Sequence, residues 1–154
     1  MKIKELKCER LGGISNVNVK FTDGLNVIVG ANEAGKSTLM EGLFAAFFRS
    51  HRLKKNIKAD KEFLERSLPY PTRDFASLKV SFETDGENYE IAKEWGALPS
   101  SSLSINCEVL KDEDLINTKL KGILKYGENT SSKSSTLILS RSREIPLRIF
   151  YTLV

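Results

Sequence analysis

The sequence predicts an α/β fold in which a strand, a phosphate-binding loop and a helix stand beside an antiparallel β meander. Three observations carry that prediction. Gly30-Ala31-Asn32-Glu33-Ala34-Gly35-Lys36-Ser37-Thr38 fits the pattern G-x-x-x-x-G-K-[ST] at every fixed position. It lies between Leu25-Asn26-Val27-Ile28-Val29, an apolar run that reads as a buried strand, and Leu39–Phe48, where apolar residues recur at helical spacing. Two alternating runs between Ala76 and Trp95, split by Asp85-Gly86, read as a hairpin.

The loop chemistry needs these residue types. Gly30 and Gly35 let the backbone turn sharply and approach a polyanion closely. The amides from Asn32, Glu33 and Ala34 through Gly35, and the helix N-terminus at Lys36-Ser37-Thr38, present positive potential to phosphates. Lys36 would reach the β- and γ-phosphates of ATP, and the Ser37 hydroxyl would ligate Mg²⁺. The alternatives are a chance match or a backbone nest for another anion.

A chain of 154 residues, 40% hydrophobic and 29% charged, suits one ordinary globular domain. No apolar run approaches the roughly 20 residues that span a bilayer. Met1-Lys2-Ile3-Lys4-Glu5 has no uninterrupted apolar core of the secretory kind, so a cytoplasmic protein is expected, with no membrane partner. Cys8 and Cys107 show neither metal spacing nor a disulfide framework and read as reduced, packed thiols. The net charge of +4 permits a nucleic-acid partner without demanding one.

In chain order, Lys2–Leu11 alternates polar and apolar residues and predicts a strand. Gly12-Gly13 makes a turn, and Val17, Val19 and Phe21 mark a second strand. Thr22-Asp23-Gly24 closes a tight connection into the strand before the loop. After the helix, residues 49–74 break the periodic pattern and carry Arg49, Arg52, Lys54, Lys55, Lys58, Lys61, Arg66 and Arg73. This basic segment is either a DNA-backbone contact or a solvated loop. His51 reads as a surface residue, since no second ligand or base stands beside it in sequence. Gly96–Ser102 is expected as a loop and Leu103–Leu110 as a further strand. Tyr89 and Trp95 fit packing on the sheet better than base stacking. Asp112-Glu113-Asp114 precedes Leu115, Ile116, Leu120, Ile123 and Leu124 and is explained as a helix start. Tyr126-Gly127 would end that helix, and a polar stretch follows over residues 128–143.

The opening strand ending at Cys8-Glu9-Arg10-Leu11-Gly12, the second strand, and Asp23–Thr38 together resemble the amino-terminal half of an SMC/RecF-type ATPase, a P-loop NTPase with an ABC-type head. The wording Asn-Glu-Ala-Gly-Lys-Ser-Thr is most similar to the YhaN-like and double-strand-break-repair branch. The resemblance is sharpest over residues 1–50 and continues to about 144, which implies an N-terminal lobe over 1–144 and a truncated tail over 145–154. It implies ATP and Mg²⁺ as cofactors, heads that pair around ATP, action on DNA, and a nuclease as a partner. It places Asn32 along the phosphates. Arg10 matches a basic residue that approaches the nucleotide from the first hairpin, with a solvated strand-end arginine as the alternative.

Two departures qualify the resemblance. Leu137-Ile138-Leu139-Ser140-Arg141-Ser142 looks like the family strand ending in a glutamine that reaches Mg²⁺ and the attacking water, yet Ser142 stands there and the chain has no Gln. No hydrophobic run ends in paired acids, so the second acid that hydrolysis needs is not supplied. The expected function is therefore ATP binding by the gripping lobe of a DNA-repair or chromosome-maintenance ATPase, with hydrolysis requiring a further C-terminal lobe. A stand-alone nucleotide-binding interaction module is the alternative. A small P-loop kinase fits less well, because the chain opens with a two-strand hairpin.

Overall fold

The computed structural model describes residues 1–124 and 149–150. Its main layer is a six-stranded sheet of β1 (Lys2–Leu11), β2 (Ile14–Lys20), β4 (Phe75–Thr84), β5 (Glu87–Gly96), β6 (Ser100–Ile105) and β7 (Glu108–Leu110), in the order β2-β1-β4-β5-β6-β7. Every neighbouring pair is antiparallel. The inward residues of β1 are Ile3, Leu6, Cys8 and Leu11, which is not a strict period of two. Register shifts against β4 between Ile3 and Glu5, and between Cys8 and Arg10, account for both irregular steps. Each inserts a residue and re-aims the side chains that follow.

The Asp85-Gly86 turn forms as expected. Both residues have positive φ, 52° and 79°, and Thr84 faces Glu87 directly. That backbone twist matches the twist of the flanking strands. A second two-residue turn, Asn106-Cys107 with φ of 44° and 81°, splits the expected single strand into β6 and β7. It leaves Cys107 exposed, contrary to the expectation of a packed thiol, whereas Cys8 is buried and its thiol is pushed up to about 11 by desolvation.

Helix α1 (Lys36–Phe48) covers the sheet with Leu39, Leu43, Ala45, Ala46 and Phe47. It lies so close to β1 that a Cβ on Gly42 would meet Leu11 Cδ2 at 2.4 Å. The expected loop over 49–74 contains a helix, α2 (Lys58–Ser67), whose Phe63 packs edge-on against Trp95 with ring centroids 5.3 Å apart. Tyr89 and Trp95 are core residues. Phe82 stacks on Tyr89, its cross-strand partner. Helix α3 (Glu113–Leu124) starts where the acidic cluster predicts: Asp112 Oδ1 accepts the amides of Asp114 and Leu115, both at 3.0 Å, and Ile116 and Leu120 are buried.

The strand before the loop departs from expectation. β3 is only Asn26–Val27, and it pairs in parallel with β8 (Ile149–Phe150), a strand within the stretch expected as a tail. Leu25, Val27 and Val29 are 62%, 53% and 85% exposed, so the apolar run is not buried. A parallel strand needs cover on both faces, and among the described residues nothing covers these three side chains. The expected helix end at Tyr126-Gly127, the polar stretch 128–143 and the strand ending at Ser142 lie outside the described residues.

Candidate nucleotide site at the amino end of α1

The phosphate loop runs from Gly30 to the first turn of α1. Gly35 takes φ 87°, and a Cβ there would lie 2.7 Å from Ile14 Cγ1. The tip of the β1–β2 hairpin thus supports the loop from below, and only glycine fits. Glu33 also has positive φ, 65°, at a cost of about 1–2 kcal/mol for a residue with a side chain. Ala34 N–H donates to Ala31 O at 3.2 Å, closing the loop on itself.

Lys36 is 8% exposed, and its Nζ donates to Gly30 O at 2.5 Å and Ala31 O at 2.7 Å. The ammonium is thus folded back over its own loop. Residues 30–34 and Ser37 are exposed, and Thr38 is half-buried. Gly35 offers no side-chain cap, and the first turn holds no acidic residue. The first-turn amides of a helix, here those of Lys36, Ser37 and Thr38, have no intrahelical acceptor and call for one from outside the helix. Donors of this kind, a cation beside them and no opposing carboxylate in that turn fit a polyphosphate. Among the described residues no group of three or more His, Cys, Asp or Glu gathers. The Ser37 hydroxyl, exposed at the start of α1, has the oxygen chemistry of a ligand to a hard divalent cation.

A cavity of about 370 Å³ opens next to this loop, lined by Leu11, Ser37, Thr38, Glu41, Arg66 and Ser67. The hairpin turn and the end of α2 meet at its wall: Gly12 N–H donates to Ser67 O at 2.6 Å. Arg10 is neither a free strand-end arginine nor turned toward open solvent. Its Nη1 lies 2.7 Å from Asp74 Oδ2, its Nη2 donates to Thr72 Oγ1 at 3.1 Å, and the guanidinium sits 4.9 Å from the Phe75 ring centre. The Phe75 amide, with Thr72 and Arg10, holds the Asp74 carboxyl below the usual carboxylate range.

The other end of α1 holds a polar cluster that sequence reasoning missed. Lys93 is 3% exposed, and its ammonium donates to Arg49 O. Burial pushes its pKa down to about 8. Trp95 Nε1 donates to Ser50 O at 2.9 Å. Glu113 Oε1 accepts from Ser50 Oγ at 2.5 Å and from His51 N–H at 3.1 Å. His51 Nδ1 lies 2.9 Å from Ser101 Oγ and 3.2 Å from Glu113 Oε1. His51 is thus buried, which corrects its reading as a surface residue. Burial, aided by the Arg52 and Lys93 charges and opposed by Glu113, lowers its pKa. Both short contacts fall on one ring nitrogen, which does not make a nucleophile–base relay.

Much of the basic segment is neutralised locally. Arg49 pairs with Asp60 at 3.1 Å and lies over Phe63. Arg52 faces Glu113 at 3.8 Å, and Arg66 pairs with Glu41 at 3.3 Å. Lys58 and Lys61 have partners one turn along α2. Lys54, Lys55 and Arg73 are exposed, and their side chains make no ion pair among the described residues.

A strand, a phosphate loop and a helix laid on an antiparallel sheet make up the fold of a P-loop head of the ABC type. The chain belongs to the AAA domain family, whose model matches residues 5–152. It is 25% identical over 143 residues to the DNA double-strand break repair Rad50 ATPase of Sulfolobus acidocaldarius, covering 90% of this chain and 15% of that protein. It is 40% identical over 67 residues to the Septu protein PtuA of Bacillus thuringiensis, covering 42% of this chain and 17% of that one. The chain thus spans about a sixth of the length of these relatives. Among solved structures it resembles the recombination mediator protein RecF-ATP, with a TM-score of 0.51 and 19% identity over 72% of this chain and 28% of that one. It also resembles the SMC head domain from Thermotoga maritima, with a TM-score of 0.50 and 20% identity over 75% of this chain and 41% of that one. Among the described residues, no helix is long and apolar enough to cross a membrane.

Proposed function

We propose that residues 30–38 bind ATP with Mg²⁺, as the gripping part of a DNA-repair or chromosome-maintenance ATPase. The observation that carries this reading is the Lys36 ammonium, buried beside exposed loop amides and held by two carbonyls that phosphate oxygens can replace. In this reading the amides of Asn32, Glu33 and Gly35 line the phosphates, that of Ala34 joins them on leaving Ala31 O, and Ser37 holds the cation. Thr38 faces the phosphate nearest the cavity. Arg10 keeps the Thr72–Asp74 segment against β1, and would reach the nucleotide only by leaving Asp74. The relatives named for DNA double-strand break repair support a DNA-directed role, with exposed Lys54 and Lys55 as phosphate contacts. Hydrolysis in this reading relies on a water-orienting group and a second acid from a further lobe or a second head. A nuclease partner would act with the assembled protein.

Equilibrium dialysis of ATP against the purified 154-residue chain, with phosphate release followed in the same samples, tests this reading. ATP should bind more tightly with Mg²⁺ than with EDTA, and phosphate release should stay at the uncatalysed level. Equal affinity in EDTA would remove the role given to Ser37. Steady Mg²⁺-dependent turnover would show that the chain holds its own catalytic acid.

A further inference from the structure

A second cation stands at the cavity beside the phosphate loop. Arg66, in the last turn of α2, extends its guanidinium to Glu41 of α1, with Nη2 3.3 Å from Oε1. Its Nε also donates to Glu62 O at a long 3.4 Å. Glu41 is four residues beyond Ser37 and three beyond Thr38, so the three share one face of the helix. All of them line the cavity with Arg66, Leu11 and Ser67. A carboxylate one turn from an anion-binding helix end opposes a polyphosphate, and Arg66 offsets it. The pairing is weak: the two side chains are 66% and 38% exposed, and only Nη2 of the guanidinium reaches Glu41. A phosphate group offers the same fork two parallel bonds, which is the stronger arrangement.

We propose that Arg66 is a second phosphate ligand of the nucleotide site, exchanging between Glu41 and the phosphate nearest Ser37 and Thr38. The proposal rests on the reading of residues 30–38 as an ATP site and adds a residue that lies outside the loop motif. Glu41 then acts as a competitor for Arg66. It holds the arginine over the cavity and sets the affinity at which a nucleotide displaces it.

A double-mutant cycle on the full 154-residue chain separates contact from neutralisation, with Mg²⁺-ATP affinity measured at low and high salt. Arg66→Ala should weaken ATP binding roughly tenfold at low salt, the loss expected for one charge-assisted bond, and by less at high salt. Arg66→Lys should recover part of that loss, and Glu41→Gln should bind at least as tightly as the parent. The double variant Glu41→Gln/Arg66→Ala should stay as weak as Arg66→Ala. Parental affinity in Arg66→Ala, or its restoration by Glu41→Gln, would overturn the proposal while leaving the loop assignment standing. Absence of ATP binding by the parent chain would overturn the loop assignment itself. Thermal unfolding of each variant, expected to match the parent at so exposed a position, reads the fold separately.

Discussion

The two ends of α1 each hold a buried lysine whose ammonium donates to backbone carbonyls, yet the two sites differ in kind. At the amino end, Lys36 bonds Gly30 O and Ala31 O of an exposed loop, next to first-turn amides that have no intrahelical acceptor. At the carboxyl end, Lys93 bonds Arg49 O inside a closed cluster that takes in Trp95, Ser50, His51, Ser101 and Glu113. Among the described residues no buried side-chain polar atom lacks a partner. The first site has donors left over for a ligand, whereas the second has spent its polar groups on itself. Burial of a lysine therefore does not by itself mark a binding site; unsatisfied neighbours do.

The same contrast explains what was legible in the sequence. The phosphate loop is local, nine consecutive residues whose spacing encodes the turn, so Lys36 and Ser37 could be picked out directly. The β4–β5 hairpin was legible for the same reason, through Asp85-Gly86. The carboxyl-end cluster joins residues 44 to 63 positions apart, and nothing near His51 in sequence announces Ser101 or Glu113. Glu113 could be read only as part of a helix start. It does lie there, but its carboxylate turns to Ser50 and His51 instead. Helix α2 was missed because Phe63 and Ser67 are its only buried residues, too few to set a period among so many charges. The β6–β7 turn uses Asn106-Cys107 where a glycine would have signalled it. The buried strand expected over Leu25–Val29 failed differently: its apolar pattern states a need for cover, not the presence of cover.

Breaking the closed cluster should cost folding, not binding. Glu113→Ala removes the acceptor for Ser50 Oγ and the His51 amide. Two orphaned donors of roughly 1–1.5 kcal/mol each predict a loss of about 2–3 kcal/mol in urea unfolding. ATP affinity should be unaltered under conditions where the variant is folded. A loss below about 0.5 kcal/mol would show that solvent replaces the carboxylate and that the cluster is not closed.

A more pointed effect is expected at Lys93. Its folded value of about 8 lies below the ordinary 10.5, so between those pH values the unfolded chain binds more protons. Stability from this group therefore rises with pH across that window, and the cost of burying the charge is fully present below about pH 8. Lys93→Met should flatten the rise and leave stability near pH 7 unchanged or higher by up to about 3 kcal/mol, since the cost of burying the charge is removed while the bond to Arg49 O is lost with it. Chemical denaturation of parent and variant from pH 7 to 10.5 measures both. An unchanged slope would mean that Lys93 does not titrate as a buried lysine.

The central claim is that the amino end of α1 is open for phosphate where the carboxyl end is closed. Calorimetric titration of Mg²⁺-ATP into the parent chain and into Lys36→Ala tests it most directly. A single saturable site is expected in the parent and a loss of at least about 100-fold in the variant, from two charge-assisted bonds of about 1.5 kcal/mol each. Equal affinity in the two proteins would contradict it and place the nucleotide somewhere other than residues 30–38.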